Sequence, residues 1–233
     1  MRVVIVDDEP LARRELGRLL SEFAWIDIVG EAANVDEAAP LIERLLPEVL
    51  FLDIQMPGGT GFDLLEGLEH LPRVVFTTAY DQHAVRAFEV NALDYLLKPI
   101  EPERLAAALS RAQSAPATAA AGSAILERLF LRDGDRCWFV PLREVMLFTA
   151  EGNYVRLSWD KIHPLLGRPL SSLEPRLDPK RFFRANRQQI INLEFIESVE
   201  LGVNGLLHAQ LRGGPEVQIS RRQARLFRAL ASI

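Results

Sequence analysis

The sequence predicts an α/β domain built on a doubly wound, five-stranded parallel sheet, followed by a mostly-β domain. Three observations carry this. Five short, continuously apolar strand patterns alternate with five helix patterns before residue 113. A charge-free stretch of small residues comes next, and beyond it short alternating runs are separated by turn signals.

In chain order, Val3–Val6 is a β-branched run that ends at Asp7 and Asp8. Leu11–Phe23 places apolar residues at helical spacing behind Pro10, a residue suited to the first helical turn. Ile26–Gly30 is a short strand, and Val35–Leu46 a helix with Asn34 available as its N-cap. Val49–Leu52 is a buried-type strand running into Asp53. Phe62–Leu71 follows a glycine-rich turn as a helix, and Val74–Thr78 is the next strand. Gln82–Val90 is helical, Tyr95–Leu97 the last strand, and Pro102–Ala112 the last helix. Unbroken apolar strands imply a sheet covered on both faces, and ligands of such sheets bind beyond the strands' carboxyl ends.

Residues 113–123 form the linker, with Ser114–Ser123 reading SAPATAAAGS. The second domain, 124–233, shows strand character at Arg132–Leu142, Val145–Phe148, Tyr154–Trp159, Ile190–Ile191, Ile196–Leu201, Leu206–Leu211 and Val217–Ile219. Ser171–Leu177 and Pro179–Phe183 read as short helices, and Arg221–Leu230 as a final one.

Composition narrows the classes of function. The 233 residues are 48% hydrophobic and 25% charged, which fits globular domains and excludes a disordered chain. Apolar runs such as Val49–Leu52 stop well short of the ~20 residues a membrane helix needs. Asp7, Asp8 and Glu9 break any secretory-signal pattern, and the single cysteine, Cys137, has no disulfide partner. A soluble, cytoplasmic protein is the expectation. The net charge of −5 conceals two opposed halves: residues 1–112 hold 20 Asp/Glu against 10 Lys/Arg, and residues 113–233 hold 12 against 17. A basic second half agrees with a nucleic-acid partner.

The strand ends carry the chemistry. The first supplies Asp7, Asp8 and Glu9, the third Asp53, the fourth Thr77 and Thr78, the fifth Lys98 and Pro99. Carboxylates converging on one rim repel unless a cation joins them, and a hard divalent ion such as Mg²⁺ takes oxygen ligands of this kind. A lysine and a hydroxyl on the same rim offer what a phosphoryl group needs for its oxygens. The set amounts to a metal-assisted phosphoryl acceptor with an aspartate nucleophile.

The segments VDDEPLAR (Val6–Arg13), LDIQMPGGTGFDLL (Leu52–Leu65) and FTTAYDQHAVRAFEVNALDYLLKP (Phe76–Pro99) resemble the receiver domain of two-component response regulators across residues 1–112. The resemblance implies a flavodoxin-like fold with Asp53 as the phosphorylated residue. It implies that Asp8 and Asp53 ligate Mg²⁺ directly, that Asp7 acts through water, and that the Gln55 main-chain carbonyl adds a ligand. Thr78 corresponds to the family's switch hydroxyl, Lys98 to its phosphate-contacting lysine, Tyr95 to the aromatic partner of the threonine, and Lys98–Pro99 to a cis bond. Haloacid-dehalogenase-type phosphatases place a second Asp two residues after their nucleophile. Gln55 stands there instead, which favours a lasting phospho-aspartate over hydrolytic turnover. The chain is expected to be a switch, not an enzyme.

The second half shows no zinc spacing, nucleophile–base pair or phosphate loop, and its histidines are isolated. It does hold two basic clusters, RFFRANR (Arg181–Arg187) and RRQAR (Arg221–Arg225). AEGNYVRL (Ala150–Leu157), LDPKRFFRANRQQIIN (Leu177–Asn192) and ISRRQ (Ile219–Gln223) resemble the LytTR DNA-binding domain over about 126–231. That resemblance implies a ten-stranded β fold whose loops enter successive major grooves. It places Asn153, Tyr154, Arg187 and Arg221 on those loops and makes Arg184 and Arg222 phosphate contacts. Asn186, itself an expected DNA contact, stands where His is usual and Gln188 where Ser is usual; both flank Arg187.

The expectation is therefore a phosphorylation-controlled transcription regulator. A sensor histidine kinase supplies the phosphoryl group, and the surface at about Gln82–Ala112 pairs with a second copy. Val85, Arg86, Phe88 and Glu89 contribute there beside Asp94 and Arg111. The dimer then engages double-stranded DNA at direct-repeat promoter sites. The rival is a receiver joined to a protein- or RNA-binding module.

Overall fold

The computed structural model describes residues 1–79, 92–114, 125–133, 136–202 and 206–231. The expected helix at Gln82–Val90, most of the linker and the dimer-surface residues Val85, Arg86, Phe88 and Glu89 lie outside the described residues. The chain forms two compact units. The first holds Met1–Ser123 together with Arg128–Phe139, and the second holds Ala124–Glu127 and Val140–Ile233. A segment beyond the linker, Arg128–Phe139, thus packs with the first unit.

In the first unit, β1 (Arg2–Val6), β2 (Asp27–Ala32), β3 (Val49–Asp53), β6 (Arg73–Thr78) and β7 (Asp94–Leu97) make one sheet in the order β2-β1-β3-β6-β7. Every pairing in it is parallel, the doubly wound order expected from the sequence. Side chains alternate between its faces. Val4, Val6, Leu50, Leu52, Val74 and Phe76 pack toward α2 (Val35–Leu45) and α3 (Gly61–Gly67). Val3, Ile5, Val49, Phe51 and Val75 pack toward α1 (Pro10–Leu20) and α4 (Pro102–Ser114). Each such side chain, wholly removed from water, stabilises the fold by roughly 1.5–3 kcal/mol, and this double-sided burial holds the strand ends rigid.

Local signals set the helix starts. Pro10 opens α1, and the Asn34 side chain accepts from the Glu37 N–H at 2.9 Å to cap α2. Thr60 and Asp63 form a reciprocal capping box on α3, each side chain bonded to the other's N–H. The α3 helix stops at Gly67, short of the expected Leu71, with Leu68 already extended. Between β3 and α3 a small hairpin pairs β4 (Gln55–Met56) with β5 (Gly59–Thr60).

The expected single run Arg132–Leu142 is part of an antiparallel hairpin, β8 (Arg128–Asp133) and β9 (Arg136–Pro141). Phe130, Cys137 and Phe139 of this hairpin belong to the core cluster that includes Phe62 and Phe76.

The second unit has two antiparallel sheets. One orders β12 (Leu165–Leu166), β11 (Tyr154–Trp159), β10 (Val145–Glu151), β14 (Gln189–Asn192) and β13 (Phe182–Arg184). The other orders β15 (Ile196–Leu201), β16 (Leu207–Leu211) and β17 (Glu216–Ile219). With β8 and β9, the described residues beyond the linker form ten strands. The short helix α5 (Leu170–Leu173) continues as a 3₁₀ turn to Arg176, close to the expected Ser171–Leu177. Pro179–Phe183 is not a helix. Asp178 accepts from the Lys180 N–H through its side chain and from the Phe182 N–H through its carbonyl, closing one turn. Phe182 and Phe183 are buried and pair with β14 instead, so burial of two consecutive aromatics overrides the local helical pattern. The helix α6 (Arg221–Ala231) ends the described chain, packing Ala224 and Phe227 into the core with Phe183. Phe183 and Phe227 meet edge-on at 5.3 Å.

Candidate functional site

Four strand ends meet at one rim of the parallel sheet. Asp7, Asp8 and Asp53 each offer a carboxylate oxygen, and these oxygens lie within 4.8 Å of one another. Asp7 and Asp53 are buried and Asp8 is half-buried, an arrangement that like charges tolerate only with a cation between them. Lys98 supplies one positive charge: its Nζ sits 2.8 Å from Asp53 Oδ2 and 2.8 Å from Asp7 Oδ2. Burial raises the Asp53 pKa above the ordinary aspartate value and Asp7 adds to the rise, while Lys98 and the Gln55 N–H oppose it. Burial would lower the Lys98 pKa, but its bonds to Asp53 and Asp7 outweigh that and raise it.

Backbone contacts brace the rim. The Gln55 N–H donates to Asp53 Oδ1 at 3.3 Å and the Glu9 N–H to Asp7 Oδ1 at 3.0 Å. Thr78 is buried, and its carbonyl accepts from the Lys98 N–H at 2.8 Å, locking the ends of β6 and β7 together. The Lys98–Pro99 peptide is cis. Gly61 is required by close approach, since a Cβ there would stand 2.4 Å from the Asp53 carbonyl oxygen. Tyr95 stacks on Phe76, ring centroids 5.1 Å apart.

A second arrangement occupies one edge of the second unit. Asn153 and Tyr154 sit exposed at the β10–β11 turn, where Gly152 takes a left-handed conformation with φ +62°. Arg187 is exposed in the β13–β14 loop, and Arg221 and Arg222 are exposed where α6 begins. The three loops are tied to one another. The Ala150 N–H donates to the Gln188 carbonyl at 2.7 Å, and the Ser220 N–H to the Ala185 carbonyl at 2.9 Å. Asn186 bonds to the Gln189 side chain and to the Gln218 carbonyl, and its own oxygen accepts from the Gln188 N–H. The edge is a rigid comb of loops with basic and polar tips.

The comparisons with known proteins match both halves of the chain. Residues 3–110 match the response regulator receiver domain family, and residues 135–232 match the LytTr DNA-binding domain family. The Sensory transduction protein LytT of Enterococcus faecalis is 36% identical over 237 residues, covering 98% of each chain. The Transcriptional regulatory protein BtsR of Salmonella typhi is 38% identical over 233 residues, covering 95% of each. The chain belongs to the LytTR response regulators. It is a DNA-binding regulator of a two-component system, and the match to a DNA-binding family sets aside the protein- or RNA-binding rival. No helix among the described residues is long and apolar enough to cross a membrane.

Set against this family, the response regulator's receiver residues expected from sequence fall together: Asp7, Asp8, Asp53, Thr78 and Lys98 end neighbouring strands. Tyr95 lies on β7 beside Phe76, behind the rim. Gln55 follows directly in β4. On the DNA-binding side, Asn153, Tyr154, Arg187, Arg221 and Arg222 present exposed tips. Arg184 and Asn186 do not. The Arg184 guanidinium donates to the carbonyls of Asn186 and Arg187 and pairs with Glu174 at 2.8 Å, so it buttresses the loop. Asn186 is likewise a stitch between two loops.

Sequence reasoning missed Arg13, whose Nη1 donates to the Asp7 carbonyl at 2.6 Å while its Nε pairs with Glu31 at 3.4 Å. It also missed Glu174, Gln189 and Gln218. Only Arg13 left a signal, as part of the quoted VDDEPLAR segment; the others act through pairings between distant segments.

Proposed function

We propose that Asp53 is the phosphoacceptor and that its phosphorylation by a sensor histidine kinase controls promoter binding by the Arg187 and Arg221 loops. One observation carries the reading: three carboxylates converge within 4.8 Å of one another at the carboxyl ends of a parallel sheet, and the Lys98 ammonium lies 2.8 Å from two of them.

In the transfer step an Asp53 carboxylate oxygen forms a bond to phosphorus. The phosphorus–nitrogen bond of the donor phosphohistidine breaks, and its electron pair leaves with the imidazole. Lys98, already at Asp53, exchanges a carboxylate oxygen for a phosphoryl oxygen, and the Thr78 hydroxyl donates to another. The carboxylate cluster fits a hard divalent cation: Asp8 and Asp53 would hold Mg²⁺ directly, Asp7 through water, and the Gln55 carbonyl would complete the set. Bound there, the ion supplies the positive charge that lets an anionic donor approach three carboxylates. Gln55, in place of a second acid, leaves the acyl phosphate without a built-in hydrolytic base, in keeping with a switch. The chain catalyses nothing beyond its own phosphorylation and slow dephosphorylation.

On DNA, Arg187 and Arg221 suit bidentate contact with guanine edges, and Asn153 with Tyr154 extends the contact to the next groove. Arg222 meets phosphate, helped by the positive end of the α6 dipole. Pairing through the surface at about Gln82–Ala112, to which Asp94 and Arg111 belong as an ion pair, joins two DNA-binding domains on direct-repeat promoter sites in the cytoplasm.

The test is Asp53→Asn. With acetyl phosphate and Mg²⁺, intact mass should show one phosphoryl adduct on the wild type and none on the variant. An adduct that persists on Asp53→Asn would remove the assignment.

A further inference from the structure

The β8–β9 hairpin is sequence-adjacent to the DNA-binding strands, yet it is folded into the receiver's unit. Its aromatic side chains close a ring of contacts there. Phe130 lies parallel to Phe62 with centroids 6.2 Å apart, Phe139 meets Phe130 at 5.1 Å, and Phe139 meets Phe76 at 6.4 Å. On its other side Phe76 stacks against Tyr95. Arg132 pairs at 2.9 Å with Asp63, which completes the capping box of Thr60 on α3. Cys137 is buried in the same cluster, and that burial pushes its thiol up to about 12.

Phe62, Asp63 and Phe76, which contact the hairpin, lie within two residues in sequence of groups at the rim, and Tyr95 reaches the hairpin through its stack on Phe76. Phe76 precedes Thr78 by two residues on β6, and Tyr95 precedes Lys98 by three on β7. Those strand ends are bonded through the Lys98 N–H and the Thr78 carbonyl. Phe62 and Asp63 follow Gly61, which is wedged against the Asp53 carbonyl. The rim and the hairpin's seat are therefore one close-packed body, in which sub-ångström shifts are felt.

We propose that the hairpin is an intramolecular latch: the receiver's Phe62–Phe76–Tyr95 face is a docking surface for it, and phosphorylation of Asp53 releases it. The proposal rests on the phosphoacceptor reading above. The docked arrangement is matched to Lys98 held between Asp53 and Asp7. A phosphoryl group draws Lys98 and Thr78 toward oxygens beyond the carboxylate, pulling on the strands that carry Tyr95 and Phe76 and spoiling the seat. Strand β9 leads through Leu142–Glu144 into β10, which ends at the Asn153–Tyr154 turn. A seated hairpin leaves little free chain before that strand, and a freed one lengthens it and lets the DNA-binding domain settle on its half-site. The coupling is reciprocal, so loosening the hairpin also favours the phosphorylated form.

Cys137 is the only cysteine in the full chain and reports the latch without a mutation. Maleimide labelling of the wild-type protein is followed with Mg²⁺ alone and with Mg²⁺ and acetyl phosphate, phosphorylation being read by intact mass and DNA binding by gel shift. Labelling should quicken about tenfold on phosphorylation, within the span of ordinary allosteric couplings. Arg132→Glu, which sets like charges against Asp63 at the surface, should label at the fast rate unphosphorylated and bind duplex DNA about fivefold or more tighter than the unphosphorylated wild type. Arg132→Lys should restore slow labelling. If the wild type is phosphorylated and binds DNA while Cys137 labelling stays unchanged, the latch is wrong and the phosphoacceptor reading stands. If no phosphoryl adduct forms at Asp53, both fall together.

Discussion

The receiver rim and the DNA-contact edge solve opposite electrostatic problems. At the rim, like charges are forced together, so the buried Asp7 and Asp53 carboxylates are each bonded to a backbone N–H and to Lys98. At the edge, basic tips are left exposed, and the hydrogen bonds lie behind them, in Arg184, Asn186, Gln189 and Gln218. Buried charge needs a partner within the protein, whereas exposed charge is kept for a partner outside it. In the first region the chemistry and the structural bracing are the same residues. In the second they are separate.

If that contrast holds, variants at the rim should be all-or-none. Asp8→Ala removes a carboxylate proposed to hold Mg²⁺, and it should abolish both metal binding by calorimetry and labelling by acetyl phosphate. Lys98→Ala should leave Mg²⁺ affinity intact or raised, because it deletes the competing cation between Asp7 and Asp53, yet it should still weaken the response of DNA binding to phosphorylation. Equal loss of Mg²⁺ affinity in the two variants would show that the rim's charges do not divide into metal ligands and a phosphate contact.

At the edge the effects should be graded. Arg187→Ala and Arg221→Ala should each cost roughly 1–3 kcal/mol at one base pair and relax specificity there. Arg222→Ala should weaken binding to every sequence and lower the salt slope by about one. Arg184→Ala should also weaken all sequences, since it frees the loop carrying Arg187, but with the salt slope unchanged. Affinities over a salt series on matched and mismatched duplexes separate the three. A lowered slope for Arg184→Ala would make it a phosphate contact after all and blur the boundary between tip and brace.

The same contrast explains what was legible in the sequence. Converging chemistry demands particular residue types at particular strand ends, so Asp7, Asp8, Asp53, Thr78 and Lys98 could be named once the strands were placed, and apolar continuity placed them. Arg184 and Asn186 were readable as basic or polar loop residues but not as braces. Whether a guanidinium faces water or two carbonyls depends on which loops the sheet register brings together, and nothing local records that. The helix expected at Pro179–Phe183 failed for a related reason, because Phe182 and Phe183 gain more from pairing with β14 and burial than from a helical turn. The hairpin's position was hidden too. Its alternating pattern announces a strand with one apolar face, and does not say which core will receive it.

A middling effect is expected at Gly61, where rim and helix touch. Gly61→Ala puts a Cβ 2.4 Å from the backbone oxygen of Asp53, which has no flexible end to move aside. Overpacking of this kind typically costs about 1–3 kcal/mol. Urea unfolding should show that loss, and phosphorylation should slow because the strain falls on the peptide of the proposed phosphoacceptor. A stable variant with a slow site would mean that α3 shifts as a body. An unstable variant with a normal site would mean that the strain escapes elsewhere.

The smallest effect belongs to the α3 capping box, which lies outside the rim's charge cluster. Thr60→Ala removes the hydroxyl that accepts from the Asp63 N–H and donates to Asp63 Oδ2, and lost caps typically cost about 1 kcal/mol. The Thr60 hydrogen bonds, hydroxyl first and then N–H, hold the Asp63 carboxyl below the ordinary aspartate value, with Arg132 adding to the effect. A carboxyl depressed in the folded state contributes stability that is fully present above its unfolded pKa, about 3.9, and is lost as pH falls through the folded value. The wild type should therefore lose more stability than Thr60→Ala between pH 6 and about pH 3, and the two denaturation midpoints should draw together at the acid end. Midpoints that stayed equally far apart over the whole range would mean that the carboxylate's charge plays no part in the cap, leaving only the hydroxyl's bond to the Asp63 N–H.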